Sequence, residues 1–195
     1  MREGNKDKII LDLCGGTGSW SKPYVDAGYD VRLVTIPDND VRTYIPPENV
    51  YGILAAPPCT MFSLARTKAK KPRDLKEGME IVYACLKIIW EVQYKLKSPH
   101  AKETPLKFWA MENPRGLLKR FLGKPVMEFD PWEFGDMYKK KTYIWGWFNE
   151  PKKSILKKPN LPKFGSDKPI EFRFNTELKS ITPAGFAKAF FKANL

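Results

Sequence analysis

Residues 8–19 read KIILDLCGGTGS, a short apolar run that passes directly into a turn of small residues. The run KIILDL is rich in apolar and β-branched side chains and predicts a strand, and the glycines of CGGTGS predict a tight turn after it. Residues 20–28 then predict a short helix, and YDVRLVTI at 29–36 predicts a second strand. This order predicts a parallel sheet with right-handed crossovers and a ligand site at the carboxyl ends of its strands.

The rest of the chain continues the α/β pattern. Three prolines between residues 37 and 49 leave no room for a full helix before the next strand, VYGILAA at 50–56. Further strands are predicted at 105–112 and 141–148, a brief helix within 113–123, and the longest helix at 77–96. The apolar positions of that helix recur at helical spacing: Ile81, Ala84, Cys85, Ile88, Ile89 and Val92.

The closing helix is predicted at 182–194, TPAGFAKAFFKAN, with Thr182 as its cap and Pro183 as its first helical residue. Its apolar face carries Phe186, Phe190 and Phe191. A length of 195 residues suits one domain that needs neither disulfides nor a metal. We predict a single α/β domain over 1–195, with a mostly parallel sheet flanked by helices. Residues 148–179, with eight Lys or Arg and four prolines, predict an irregular basic insertion within it.

Composition narrows the classes of function. The first residues, MREGNKDKII, lack the apolar core of a signal peptide, and no run approaches the roughly 20 apolar residues that cross a bilayer, so we expect a cytoplasmic protein. The net charge of +12 favours a polyanionic partner, with nucleic acid ahead of an anionic membrane surface. A merely soluble, lysine-rich surface stays open. Because His100 is the single histidine, Ser-His and Cys-His nucleophiles are improbable.

The stretch ILAAPPCTMFS at 53–63 places Cys59 just past a strand and behind two prolines. Two prolines fix φ on successive residues and would hold the sulfur at a set position, a rigidity that a packing cysteine does not need. Cys85 lies on the apolar side of the long helix and is expected to be a buried packing residue. The three cysteines are widely spaced, so we predict neither a disulfide framework nor a metal site.

Five motifs follow one another along the chain: LDLCGGTGSW, AAPPCTMFS, AMENPRG, FGDMYKKKTYIWG and ITPAGFAKAFF. In this order and context the chain resembles the cytosine-5 DNA methyltransferase family, particularly its compact members encoded by phages. The resemblance covers most of the chain, and PPC together with ENP is its most specific part. It implies a Rossmann-like fold that uses S-adenosylmethionine (SAM), and a location in the cytoplasm of a bacterial or phage-infected cell.

The resemblance also implies a chemistry. Cys59 would add as a thiolate to C6 of cytosine, and Glu112 of MENP would donate a proton or hydrogen bond at N3. The target base would be flipped out of duplex DNA, because both atoms lie inside the stack. Lys139 and Lys141 stand where the family has two arginines, and would supply charge without the planar fork of arginine.

The binding residues that the resemblance implies fall into two sets. Residues for SAM are Asp12, Cys14, Gly15, Gly16, Thr17, Gly18, Thr35, Asp38, Asp40 and Pro57, with the Asp12 carboxylate facing the ligand's ammonium group. Residues for DNA are Pro58, Phe62, Ser63, Arg66, Lys68, Asn113, Lys152 and Lys153. The first two cations of this second set open a basic loop at 66–76, where the family has a mobile loop that closes over DNA.

The chain departs from the family's pattern in several places. Cys14 replaces a phenylalanine, and Thr35 replaces an acidic residue that grips the ribose, with Asp38 nearby as a substitute. Residues 148–179 are too short for a full target-recognition domain, and the family's closing segment over SAM is missing. We therefore expect weak cofactor binding or a partner subunit that completes the SAM pocket. Two other hypotheses remain: an RNA cytosine-5 methyltransferase, and a DNA-binding relative that has lost catalysis.

Overall fold

The computed structural model describes residues 3–64, 66, 69–94, 106–160 and 180–195. These ranges contain six strands and four helices, with two short 3-10 turns at Glu3–Asn5 and Pro131–Phe134. The strands are β1 (Ile9–Leu13), β2 (Asp30–Val34), β3 (Val50–Ala55), β4 (Phe108–Pro114), β5 (Met127–Phe129) and β6 (Thr142–Trp147). The helices are α1 (Lys22–Asp26), α2 (Leu75–Tyr94), α3 (Lys119–Leu122) and α4 (Ala184–Ala193).

All six strands form one mixed sheet in the order β2-β1-β3-β4-β6-β5. The first four strands of that order run parallel, and β6 and β5 are antiparallel to their neighbours. Leu13 pairs with Ala55, and Ala55 pairs with Met111. The carboxyl ends of β1, β3 and β4 therefore meet at one edge of the sheet, as the sequence predicted, although the sheet is more mixed than expected.

Apolar side chains cover both faces of the sheet, which is why the central strands are apolar almost throughout. On one face, α2 buries Val82, Cys85 and Ile89 against Leu11 and Ile53. On the other face, the aromatic residues of α4 pack with residues of β4, β5, α1 and the turn before α1: Phe186, Phe190, Phe108, Phe129, Tyr24 and Trp20. The rings of Phe129 and Phe186 stack with centroids 4.0 Å apart. This three-layer packing confirms the α/β class.

Most predicted elements are present, with shifted boundaries. β4 continues two residues past Glu112, and the buried side of α2 uses Val82 where Ile81 was expected. Pro183 is the N-cap of α4 and not its first residue, and no side chain caps that helix. β5 was not predicted from the sequence, because its three residues are too few to show an alternation pattern. No helix within the described ranges is long and apolar enough to cross a membrane.

Candidate active site

The turn after β1 requires its glycines. Cys14, Gly16 and Gly18 all have positive φ, at 56°, 54° and 68°, a conformation that glycine adopts at little cost. At Gly15 the requirement is space, because a Cβ there would lie 2.4 Å from the carboxyl group of Asp12. The turn thus wraps closely around the end of β1 and leaves the backbone open to a ligand.

Asp12 is the buried acid beneath this turn. Its Oδ2 accepts a hydrogen bond of 2.5 Å from the Ser21 hydroxyl, whereas its Oδ1 is buried with no partner among the described residues. Burial raises the pKa of Asp12 to about 6, against the opposing effect of the Ser21 hydrogen bond. An unpartnered carboxylate oxygen with this pKa suits a cationic ligand group, which would favour the charged form.

The loop after β3, which carries Cys59, is held by contacts with β4 and with the loop that follows β4. Asn113, fully buried, donates from Nδ2 to the Pro57 carbonyl over 2.9 Å. The Cys59 carbonyl accepts from the backbone N–H groups of Phe62 and Ser63 at 2.9 and 2.8 Å. In turn, the Phe62 carbonyl accepts from Leu117 at 2.9 Å. The position of the thiol is therefore tied to the strand that carries Glu112.

These elements enclose a cleft of about 80 Å³ at the carboxyl edge of the sheet. Its lining combines the glycine turn, the Pro-Pro-Cys loop, the end of β4 and residues from later in the chain: Asp12, Cys14, Gly15, Gly16, Trp20, Ala56, Pro57, Pro58, Cys59, Glu112, Pro114, Lys140, Ser180 and Thr182. The structure thus brings Cys59 and Glu112, predicted from separate motifs, into one cavity with the predicted cofactor turn.

Burial sets the protonation of the two central groups. It raises the pKa of the Glu112 carboxyl, and nearby Lys140 opposes that shift. It likewise raises the pKa of the Cys59 thiol, with a further rise from Glu112 and an opposing effect from Lys140. A carboxyl group that retains its proton can donate it, while Lys140 favours the thiolate. The arrangement therefore suits acid catalysis by Glu112, whereas the pKa of the Cys59 thiol stays raised and Lys140 offsets only part of that rise.

Lys140 lines the cleft, and the predicted pair Lys139 and Lys141 does not. The Lys141 ammonium lies 3.0 Å from Oδ2 of Asp130, on the β5 side of the sheet. The resemblance aligned Lys139 and Lys141 with the two arginines of the family, whereas the lysine between them lines the cleft. Three successive lysines do not indicate by themselves which of them faces a site. Trp20, Pro114, Ser180 and Thr182 were also missed as lining residues, since their sequence context predicted only secondary structure.

Several predicted cofactor residues lie away from the cleft. Thr17, Gly18 and Thr35 do not line it, and Asp38 is exposed on the loop after β2. Asp40 forms an ion pair with Arg42, which lowers the pKa of Asp40 to about 2. The residues that were expected to bind a ribose therefore do not line this cleft.

Some predicted DNA-binding residues have structural roles. Phe62 is fully buried in the core beside α2, so the expectation that it contacts DNA was wrong. Arg73 of the basic loop donates to the Met61 and Ser63 carbonyls, both at 2.8 Å, and fixes the loop after Cys59. Asn113 holds the same loop from the interior of the protein through its hydrogen bond to the Pro57 carbonyl. Side-chain burial follows from the three-dimensional packing, which the motif alone does not reveal.

The remaining predicted contacts are spread over the surface. Pro58 and Lys152 are exposed, and Lys153 pairs with Glu133 at 2.6 Å. Arg66 lines a shallow depression with Lys71 and Asp74. Lys68 lies outside the described residues, as do residues 161–179 of the predicted basic insertion.

Three larger clefts lie elsewhere among the described residues: one of about 540 Å³ between α1 and α4, one of about 770 Å³ beside Asn149 and Lys192, and the depression of about 590 Å³ beside Arg66. None of them is lined by Cys59, by the buried acids Asp12 and Glu112, or by the glycines of the turn after β1, so the smaller cleft is the candidate site. No protein-family model matches the chain, and no curated protein sequence matches it either. Assignment of an activity thus depends on the motifs and on this geometry.

Proposed function

We propose that this protein is a SAM-dependent DNA cytosine-5 methyltransferase with a methyltransferase-type Rossmann-like sheet. The observation that supports the proposal is that Cys59 and Glu112 line one cleft together with the glycine turn. A thiol and an acid with a raised pKa are the two groups that cytosine activation needs. Their supporting contacts, from Asn113 and Arg73, hold the thiol loop in place.

In the proposed reaction, the Cys59 sulfur bonds to C6 of a flipped cytosine as Glu112 donates its proton at N3. This addition leaves C5 electron-rich. After methylation at C5, the C5 proton is lost to solvent, the Cys59 thiolate leaves C6, and the N3 proton returns to Glu112, which restores the aromatic ring and the starting state of the enzyme. Lys140 stabilises the thiolate at the start and at the end of the cycle, and it replaces Lys139 and Lys141 in this proposal.

SAM supplies an electrophilic methyl group on its sulfonium. The cleft fits the amino-acid end of this ligand, because Asp12 Oδ1 is a buried acceptor without a partner in the described part of the chain, and the glycine turn admits close approach. A volume of about 80 Å³ is well below the roughly 300 Å³ at which small-molecule sites begin, so the cleft would enclose only one end of the cofactor. A partner subunit that completes the pocket remains part of the proposal.

The same small volume favours a second hypothesis, a DNA-binding protein that has lost catalysis. The net charge of +12 suits either function, since phosphate binding depends on Lys and Arg. Calorimetry with SAM, in the presence and absence of duplex DNA, separates the two. Heat of binding supports the enzyme, and its absence under both conditions supports the binder.

The decisive experiment measures transfer of a labelled methyl group to duplex DNA and to transfer RNA. We expect incorporation into DNA by the wild type and by Cys85→Ala, a control that removes a buried thiol outside the cleft. Cys59→Ala should reduce incorporation to background, and DNA with 5-fluorocytosine should trap a covalent adduct on the wild type. Full activity of Cys59→Ala would overturn the proposal, and labelling of RNA alone would replace DNA with RNA as the substrate.

A further inference from the structure

Two thiols meet where the glycine turn contacts α2. The Sγ atoms of Cys14 and Cys85 lie 3.9 Å apart, although the residues are 71 positions apart in the chain. Cys14 is half-buried and lines the candidate cleft, whereas Cys85 is completely buried in the middle of α2. Both cysteines are free thiols. Cys14 thus lies on the cleft side of the pair, and Cys85 lies behind it in the core.

We propose that Cys14 and Cys85 are a modification site for peroxide-class oxidants, which convert the pair to a disulfide and so displace the glycine turn. The proposal needs no unusual reactivity at Cys14, because the accessible thiol of a close pair is the one that an oxidant meets first. The second sulfur is already close to contact, so closure of the bond requires movement of the glycine turn alone.

The reaction balances with hydrogen peroxide as the oxidant. The Cys14 sulfur attacks one peroxide oxygen, the O–O bond breaks, and Cys14 sulfenic acid and one water form. The Cys85 sulfur then attacks the Cys14 sulfur, the S–O bond breaks, and the hydroxyl leaves as a second water with the Cys85 proton. The two thiols are oxidised and peroxide is reduced to two waters. The hydrogen bond with Cys14 and then burial raise the pKa of Cys85, so this second step should accelerate as the pH rises.

Closure of the disulfide has a mechanical consequence. An S–S bond is about 2.05 Å long, so the sulfurs must approach by nearly half of their present separation. α2 has 20 residues and buries six of its side chains in the core, whereas Cys14 begins a turn at positive φ. The turn is therefore the part that moves. If the cleft binds SAM, which rests on the proposed function, this movement weakens that binding.

The first test uses Cys59→Ser, in which Cys14 and Cys85 are the two remaining cysteines. After treatment with hydrogen peroxide and alkylation of the unfolded protein, we expect a mass lower by two hydrogen atoms and no alkyl group. Dithiothreitol should restore two alkylation sites. The matched control, Cys14→Ser with Cys59→Ser, should keep one alkylation site at Cys85. Oxygen adducts on Cys14 with Cys85 still alkylatable, or no reaction at either thiol, would overturn the proposal.

The second test compares SAM binding by the oxidised and the dithiothreitol-reduced Cys59→Ser protein in calorimetry. We expect oxidation to weaken SAM binding by about tenfold or more, and reduction to restore it. Equal affinity of the two forms would refute the mechanical consequence. Absence of SAM binding by both forms would count against the proposed function, while the mass measurement would still decide whether the disulfide forms.

Discussion

The Asn113 side chain donates a hydrogen bond of 2.9 Å to the Pro57 carbonyl, and this contact joins the two halves of the candidate catalytic pair. Asn113 directly follows Glu112 on β4, and Pro57 lies two residues before Cys59. A shift of the Pro-Pro-Cys loop would therefore separate the thiol from the acid. The contact explains why an asparagine follows the glutamate in the ENP motif of this chain.

Asn113→Ala should cost both stability and activity. Loss of the amide leaves the buried Pro57 carbonyl without its partner, which costs about 1 to 3 kcal/mol of unfolding free energy. Loss of loop position should lower the rate of adduct formation with 5-fluorocytosine DNA by roughly 100-fold. Urea denaturation and gel assay of the adduct measure the two effects separately.

The matched control is Asn149→Ala, which removes a similar amide-to-carbonyl hydrogen bond, to Ala193, at an exposed position far along the chain. It should lower stability slightly and leave adduct formation per folded molecule unchanged. Equal adduct rates for Asn113→Ala and the wild type would show that the hydrogen bond only stabilises the fold.

Lys140→Met should move the pH profile of methyl transfer to higher pH. The reaction needs Cys59 without its proton and Glu112 with its proton, so the pKa values of these two groups together set the two limbs of the profile. Lys140 lowers both pKa values, and its removal therefore raises both. The measurement is the initial rate of methyl transfer across a series of buffers.

Lys139→Met and Lys141→Met provide controls in the same lysine run. Lys139 does not line the cleft, and the partly exposed pair of Lys141 with Asp130 contributes at most about 1 kcal/mol to stability. Neither change should move the limbs of the profile. If the pH profile shifted for Lys141→Met and not for Lys140→Met, the functional lysine would be Lys141, as the sequence motif suggested.

The contrast between Cys59 and Lys140 shows what the sequence could and could not predict. Strands with continuous apolar runs and glycine turns fix local structure, and parallel strands bring their carboxyl ends together, so Asp12, Cys59 and Glu112 could be grouped in advance. The register of a lysine run and the inward direction of Phe62 depend on packing across the sheet. β5 forms because β6 offers a free edge, which is a long-range cause that three residues do not encode.

Asp12→Asn should stabilise the protein at pH 8. The pKa of Asp12 is raised from 3.8 to about 6, so the folded state holds a proton that the unfolded state releases near pH 4. The unfolding free energy of the wild type therefore falls as the pH rises from about 4 to about 6, and it stays lower above pH 6. Asparagine removes this loss, which is on the order of 2 to 3 kcal/mol, and can still accept the Ser21 hydrogen bond.

Denaturant titrations at pH 4 and pH 8 test this sign. The advantage of Asp12→Asn should be large at pH 8 and small at pH 4, whereas SAM binding should be lost at both. Asp40→Asn is the control of opposite sign, because Arg42 lowers the pKa of exposed Asp40 and its contribution is present at pH 8 and lost as the pH falls toward 2. An Asp12→Asn protein less stable than the wild type at pH 8 would contradict the prediction.

Gly15→Ala tests the contact between the turn and the buried acid. The added methyl group would lie 2.4 Å from the Asp12 carboxyl, which Ser21 holds in place, so we expect a loss of about 1 to 3 kcal/mol in unfolding free energy. Gly16→Ala has open space at the same turn and should lose only the strain energy of its positive φ, about 1 to 2 kcal/mol.

Because the expected losses of the two variants overlap, a double-mutant cycle separates their causes. Truncation of the acid in Asp12→Ala should remove most of the cost of Gly15→Ala and leave that of Gly16→Ala unchanged. If the stability losses of Gly15→Ala and Asp12→Ala were additive, the contact with the acid would play no part, and Gly15 would be required for backbone conformation alone.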